Sequence, residues 1–203
     1  MPELTLATRN RHKIAELQRL LAPLHVTLTG IPRAVSLPPE DGEDYAANAL
    51  IKARAAAAQL GRPVIADDSG IEALALGGRP GVRSARYAGE HATDAQNLEK
   101  LIGEAPPGSQ LRYVCALAFV DGPLERVFRG ECAGRMAAGA RGLGGFGYDP
   151  VFVPDTDPGR TMAELSGAEK DAISHRAAAV GEFARWYLAE RGGSSPGRDG
   201  SSR

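Results

Sequence analysis

The sequence predicts a mixed α/β protein: a mixed central sheet flanked by helices, with two lobes around a substrate crevice. Three observations carry that expectation. β-prone runs alternate with helical periodicity from Leu4 to Asp67. Two long strand-like runs, Leu111 to Val120 and Leu124 to Ala133, meet at Asp121-Gly122-Pro123 as a hairpin. Adjacent carboxylates, Asp67 and Asp68, follow the apolar run Pro63-Val64-Ile65-Ala66. A buried strand ending in acids places negative charge at the rim of a sheet, where open α/β folds keep their ligands. Neighbouring side chains on an extended chain point to opposite faces, so the two aspartates are expected to do different jobs. At 203 residues the chain can bury one substantial core, and residues 1–191 are expected to form a single two-lobed domain.

Leu4 to Thr8 opens as a strand. The chain then turns through Arg9-Asn10 into a helix, because Ile14, Leu17, Leu20, Leu21 and Leu24 recur at helical spacing and Pro23 marks the end. Val26 to Ile31 is the second strand, followed by a connection through Pro38-Pro39. Tyr45 to Leu60 is alanine-rich, free of Gly and Pro, capped by Asp44 and closed by Gly61, which makes it a helix. Pro63 opens the strand that reaches Asp67, and beyond Gly70 a further strand is expected at Ile71 to Leu76. Gly77-Gly78-Arg79-Pro80-Gly81 must be a loop. Thr93 caps a short helix from Asp94 to about Ile102. After the hairpin, the glycine-rich Gly139 to Gly147 leads through Tyr148-Asp149-Pro150 to a strand at Val151-Phe152-Val153. Ile173 to Leu188 is the last helix. Residues 192–203, rich in Gly and Ser, have no apolar area to bury and are expected to be a disordered tail.

Composition narrows the class of function. The 43% of hydrophobic residues suits a globular protein, and no uncharged apolar run reaches the ~18 residues of a membrane span. The N-terminus lacks the basic region of a signal peptide, which points to the cytoplasm. Cys115 and Cys132 each sit inside a strand-like run, as reduced core thiols rather than a disulfide framework or zinc site. A formal net charge of −1 argues against a nucleic-acid binder. The charge is nevertheless unevenly placed: Arg9, Arg11, His12 and Lys13 cluster after the first strand, and Glu40, Asp41, Glu43 and Asp44 further on. A basic and an acidic loop in one small fold suit a ligand with phosphates and a metal, although composition alone favours two solvated charge runs.

Four segments carry candidate chemistry. Thr8-Arg9-Asn10-Arg11-His12-Lys13 joins strand to helix, where backbone amides and the Thr, Asn and Lys side chains supply donors to phosphate oxygens; it is not a Walker A loop. Glu40 precedes a flexible Asp41-Gly42 step and could join Asp68 on one hard cation, while Asn48, a helical turn from Asp44, could orient that loop. Phe146-Gly147-Tyr148-Asp149-Pro150 sets an aromatic in a glycine-rich loop, suited to stacking on a flat base, with Asp149 to fix a loop or a cation. Lys170, His175 and Arg176 offer donors to the carbonyl oxygens of a purine. No Gly-x-Ser-x-Gly elbow supports a Ser-His-Asp hydrolase.

Together these motifs resemble the Ham1-like purine nucleoside triphosphate pyrophosphatases, also called inosine triphosphate pyrophosphatases, which act on non-standard bases. The resemblance runs from about Leu4 to about Leu188. It is carried by Ala66-Asp67-Asp68-Ser69-Gly70, Leu76-Gly77-Gly78-Arg79-Pro80-Gly81, Ser84-Ala85-Arg86-Tyr87-Ala88-Gly89, Gly145-Phe146-Gly147-Tyr148-Asp149-Pro150 and the run from Thr161 to Arg176. It implies a Mg²⁺-dependent, homodimeric enzyme that cleaves ITP, dITP or XTP between the α and β phosphates. By the same resemblance Asp68 is proton acceptor and metal contact, and Glu40 the second metal ligand. Thr8 to Lys13 and Ser69 would contact substrate, and Phe146 to Asp149, Lys170, His175 and Arg176 would recognise the base. The family's first loop usually carries glycines where this chain has Arg9 and His12, and an acid commonly stands where it has Ala47. A Maf-like nucleotide pyrophosphatase of different base preference and a catalytically weak nucleotide-binding regulator are the alternatives.

Overall fold

The structure, a computed structural model, describes residues 3–193. Strands β1 (Glu3–Leu6), β2 (Thr27–Gly30), β3 (Val64–Ala73), β4 (Gln110–Asp121), β5 (Leu124–Met136) and β6 (Phe152–Pro154) form one sheet in the order β2-β1-β3-β4-β5-β6. β1 runs parallel to both β2 and β3, and every pairing from β3 onward is antiparallel. Helices α1 (Arg11–Leu21), α2 (Tyr45–Leu60), α3 (Asp94–Glu104), α4 (Gly167–Ile173) and α5 (His175–Gly193) flank it. This is the mixed α/β architecture expected.

Local chemistry explains the helix limits. Asp44 Oδ1 accepts from Ala47 N at 2.7 Å, and Gly61 stops α2 with φ 62°, a left-handed conformation that glycine adopts without Cβ strain. Asn10 caps α1, accepting from His12 N at 2.9 Å and Lys13 N at 3.2 Å. A capping box between Thr93 and Gln96 starts α3.

Three expectations are corrected. The strand does not end at the aspartates: β3 runs unbroken through Asp67-Asp68-Ser69-Gly70 to Ala73, and Leu74–Leu76 is a 3-10 turn. The cause is tertiary. β4 pairs with all of it, from Val64↔Val120 to Ala73↔Leu111, and the ladder satisfies a backbone whose local composition favours a turn. The last helix begins at His175 rather than Ile173, and Ile173 instead ends a separate short helix, α4, that was not expected. Ser166 caps α4 in a capping box with Glu169, Ser174 breaks the run in extended conformation, and its Oγ accepts from Ala177 N at 3.1 Å to start α5. Gly192 and Gly193, expected in the tail, lie in α5; residues 194–203 lie outside the described residues.

Strand alternation sorts the core. One set of buried residues (Ile65, Cys115, Leu117, Phe119) packs with Leu17 and Leu21 of α1 and Phe183 of α5. The alternate set (Val64, Ala66, Val114, Ala116, Ala118) packs beneath Ala49, Ala53 and Ala56 of α2. A third cluster gathers Ile71, Tyr113, Phe152 and Met162 toward the far end of the long strands. Both cysteines are buried and free. Among the described residues no helix is long and apolar enough to cross a membrane.

Gly130 lets α5 touch β5 directly: a Cβ there would lie 2.0 Å from His175 O and 2.4 Å from Ala179 N. Gly130→Ala is therefore expected to lower stability by about 1–3 kcal/mol through overpacking. A urea midpoint equal to wild type would contradict this close approach.

Candidate active site

β1 leaves the sheet early. Its pairing with β3 stops at Leu6↔Ile65, and Ala7 N makes the last contact, donating to Ile65 O at 2.8 Å. The edge of β3 beyond Ile65 is thus open on that side, and it floors a crevice of about 490 Å³. Asp68, Ser69 and Gly70 line it from β3, and Thr8, Arg9, Asn10 and Lys13 from the β1–α1 loop. Glu40 and Lys52 line it from the α2 side, and Phe146, Gly147, Tyr148, Asp149, Tyr113, Lys170, His175 and Arg176 from the other end. A second cavity, about 590 Å³, lies by Tyr45, Glu72, Arg79 and Val127, and none of the predicted site residues lines it.

Alternation on β3 separates the two aspartates. Asp67, 1% exposed, faces α1 and α5: Lys13 Nζ stands 2.9 Å from Oδ1, and Arg176 Nε donates to Oδ2 at 3.1 Å. Burial opposes its ionisation, but Lys13 and Arg176 outweigh it and hold the carboxyl far below the ordinary range. Asp68 faces α2. Asn48 Nδ2 donates to its Oδ2 at 3.1 Å, and Lys52 Nζ lies 3.6 Å from Oδ1. The same ammonium is 3.1 Å from Glu40 Oε1 and donates to Asp67 O at 2.8 Å on the open edge of β3. Burial, with Glu40 adding to it, pushes Asp68 up to about 6 against the pull of Lys52 and Lys13. Glu40 itself is lowered, because Lys52 outweighs its burial.

Two carboxylates thus share one ammonium, with negative charge in excess. Hard oxygen donors in such a pair fit a Mg²⁺ ion that keeps water or phosphate oxygens for its remaining positions. Glu40 and Asp68 would hold it, and Asn48 orients both, since its Oδ1 accepts from Gly42 N at 2.8 Å in the loop after Glu40. No group of three or more His, Cys, Asp or Glu that could hold a metal occurs among the described residues.

The loop from Thr8 to Lys13, expected to meet phosphates, differs from that expectation in three respects. The amides of His12 and Lys13 are already bonded to Asn10 Oδ1, and Asn10 N to Thr8 Oγ1 at 3.2 Å, so capping takes donors that a free helix start would offer an anion. Arg9 Nη2 donates to Val35 O at 2.7 Å. Arg11 and His12 are exposed and do not line the crevice; His12 instead stacks on Phe146, centroids 5.0 Å apart and planes 16° from parallel.

At the Phe146 end, Asp149 accepts from Phe146 N at 2.8 Å, Tyr113 Oη at 3.1 Å and Lys170 Nζ at 2.5 Å, so it fixes both a loop and a cation. Tyr148 is buried, its hydroxyl donating to Ser84 O at 2.7 Å, and Phe146 is the more exposed aromatic of this loop at the crevice. Arg176 is fully buried between Asp67, Glu16 and Ser69 Oγ. His175 stacks on Tyr113 at 4.6 Å, burial and then Arg176 hold its imidazole neutral, and its buried Nδ1 has no protein partner.

Sequence reasoning missed Glu16, Lys52 and Tyr113. The first two had a signal: Lys13 and Glu16 are three apart on α1, and Asp44, Asn48 and Lys52 recur every fourth residue on α2, each set on one helix face.

The fold and crevice define an α/β protein with a carboxylate pair at its open sheet edge, between a cationic loop and an aromatic-lined end. The chain belongs to the Ham1 family, whose model matches residues 4–186. It is 49% identical over 189 residues to the dITP/XTP pyrophosphatase of Mycolicibacterium paratuberculosis, covering 89% of this chain and 93% of that one. It is 48% identical to the dITP/XTP pyrophosphatase of Geobacillus kaustophilus, covering 89% and 91%. A solved HAM1 protein from Coxiella burnetii superposes with TM-score 0.83 at 38% identity, covering 93% of this chain and all of that one. The Ham1 protein of Staphylococcus aureus gives 0.81 at 35%, covering 93% and 99%.

Asp67→Asn leaves Arg176 and Lys13 without their shared acid and is expected to destabilise the fold by about 3–5 kcal/mol. Because the folded pKa is depressed, Asp67's contribution is complete above the unfolded value near 3.8 and is lost as pH falls below it. Denaturant titrations from pH 3 to 7 check this: Asp67→Asn should flatten the acid limb of stability, and a loss under 1 kcal/mol at neutral pH would contradict the role.

Proposed function

We propose that the chain is a nucleoside triphosphate pyrophosphatase that hydrolyses non-standard purine nucleotides, ITP, dITP and XTP, to the monophosphate and pyrophosphate. The observation that carries this reading is the pair Glu40 and Asp68, sharing Lys52 midway between a cationic loop and an aromatic-lined end. The names of the relatives support the same reaction class.

In this reading Thr8, Asn10 and Lys13 meet the triphosphate and Ser69 lies beneath it. Asp68 orients the attacking water and takes its proton, as a carboxylate raised toward neutrality suits a general base. The water oxygen bonds to phosphorus, the α–β bridging P–O bond breaks, and pyrophosphate leaves. Mg²⁺ held by Glu40 and Asp68 would neutralise charge on the phosphate oxygens. Asp67 serves the fold, since both its oxygens are committed to cations. At the other end the base meets Phe146, with His175 Nδ1 presented as an unspent polar atom. A site whose polar groups expect a 6-oxo purine leaves them unpaired against adenine, a mismatch that reaches ~10⁴-fold in such sites.

Two measurements test the reading. Incubation with ITP, GTP or dTTP and Mg²⁺ should yield pyrophosphate and IMP from ITP foremost. IDP with free phosphate would refute it, preference for dTTP would favour a Maf-like enzyme, and binding without turnover a regulator. Asp68→Asn should abolish turnover while thermal stability stays near wild type; near-normal activity would remove Asp68 from the mechanism.

A further inference from the structure

We propose that Glu16, on the inner face of α1, is a positioning residue that sets base preference by keeping the base end of the crevice electrically neutral. The inference rests on the nucleotide reading above. Glu16 is 5% exposed and does not line the crevice. It acts through two residues that do: Lys170 Nζ lies 2.8 Å from its Oε1, and Arg176 Nη1 donates to its Oε2. Both cations also lie over the Phe146 ring, at 4.8 and 5.8 Å from its centroid.

Each cation has a second acid. Lys170 reaches Asp149 at 2.5 Å, and Arg176 reaches Asp67, which Lys13 also balances. The result is an alternating chain, Lys13, Asp67, Arg176, Glu16, Lys170, Asp149, with three charges of each sign. Glu16 is the link in that chain between Arg176 and Lys170. Burial opposes Glu16's ionisation, but Arg176 and Lys170 outweigh it, so its charge is present. His175 beside them is neutral and does not alter the sum.

Charge neutrality has a chemical consequence. The hypoxanthine of ITP is neutral near physiological pH, whereas the xanthine of XTP is a stronger acid and is already largely an anion at neutral pH. A base end with no net charge gives the anion no advantage. Replacing Glu16 by an isosteric neutral side chain leaves one uncompensated buried cation beside Phe146, and that cation attracts the anionic base.

The test is steady-state kinetics of the full chain with ITP and with XTP at pH 8 in Mg²⁺. Glu16→Gln should raise the XTP-to-ITP ratio of kcat/KM by roughly tenfold, the scale of one poorly screened charge at close range, with the change carried in KM. Glu16→Asp keeps the charge and should leave the ratio near wild type even where its melting temperature falls. Lys170→Gln shifts the balance the other way and should lower the ratio, and it decides the matter if Glu16→Gln does not fold. An unchanged ratio in folded Glu16→Gln, or a raised ratio in Lys170→Gln, overturns the proposal. Failure of the wild type to turn over either nucleotide sinks the functional reading instead, and the same ratio is then read from binding of the two nucleotides.

Discussion

The ion contacts of Asp67 tie α1 and the start of α5 to β3. Its carboxylate is buried between α1 and α5, where an isolated charge would be untenable, and it is ionised only because Lys13 and Arg176 meet it there. That requirement sets the rotation of α1, which must present Lys13, and the start of α5, which must present Arg176. Once α1 is so turned, Glu16 comes to the same inner face and meets both Arg176 and Lys170. Lys170 in turn reaches Asp149, whose other contacts hold Phe146 N and the Tyr113 hydroxyl. One buried acid therefore ties the loop after the first strand to the loop that carries Phe146.

Asp68 is the next residue and has the opposite environment, because strand alternation turns it to the α2 face. There the charge does not balance. Lys52 alone serves Asp68 and Glu40, and it also takes a backbone carbonyl that β1 would have bonded had it continued. The early departure of β1 thus does two things: it opens the edge of β3 to form the crevice, and it leaves backbone and acids that call for a cation. The stiff, neutralised side of the strand carries the fold, and the under-neutralised side carries the proposed chemistry.

Much of this was legible in the sequence wherever local chemistry decides the outcome. Tyr45 to Leu60 begins and ends as expected because Asp44 and Gly61 are local signals, and the hairpin at Asp121-Gly122-Pro123 is another. The different surroundings of Asp67 and Asp68 followed from the two-residue period of a strand. What could not be read depended on partners distant in sequence. β4 carries β3 through a segment whose composition favours a turn. Glu16 and Lys52 are ordinary helix charges until α1 and α2 are docked, and the amides of the first loop look free until Asn10 is seen to cap them. The break at Ser174 is likewise small in sequence and large in effect, since it aims Lys170 and Arg176 from two helices at one place.

The central claim is that two consecutive aspartates sit in opposite electrostatic environments. Side-chain carboxyl ¹³C NMR of the metal-free protein, titrated from pH 2 to 8, measures both at once. The account predicts that Asp68 titrates near 6 while Asp67 stays ionised well below the ordinary aspartate range for as long as the fold persists. Two curves with a common midpoint near the ordinary aspartate value of 3.8 would contradict it.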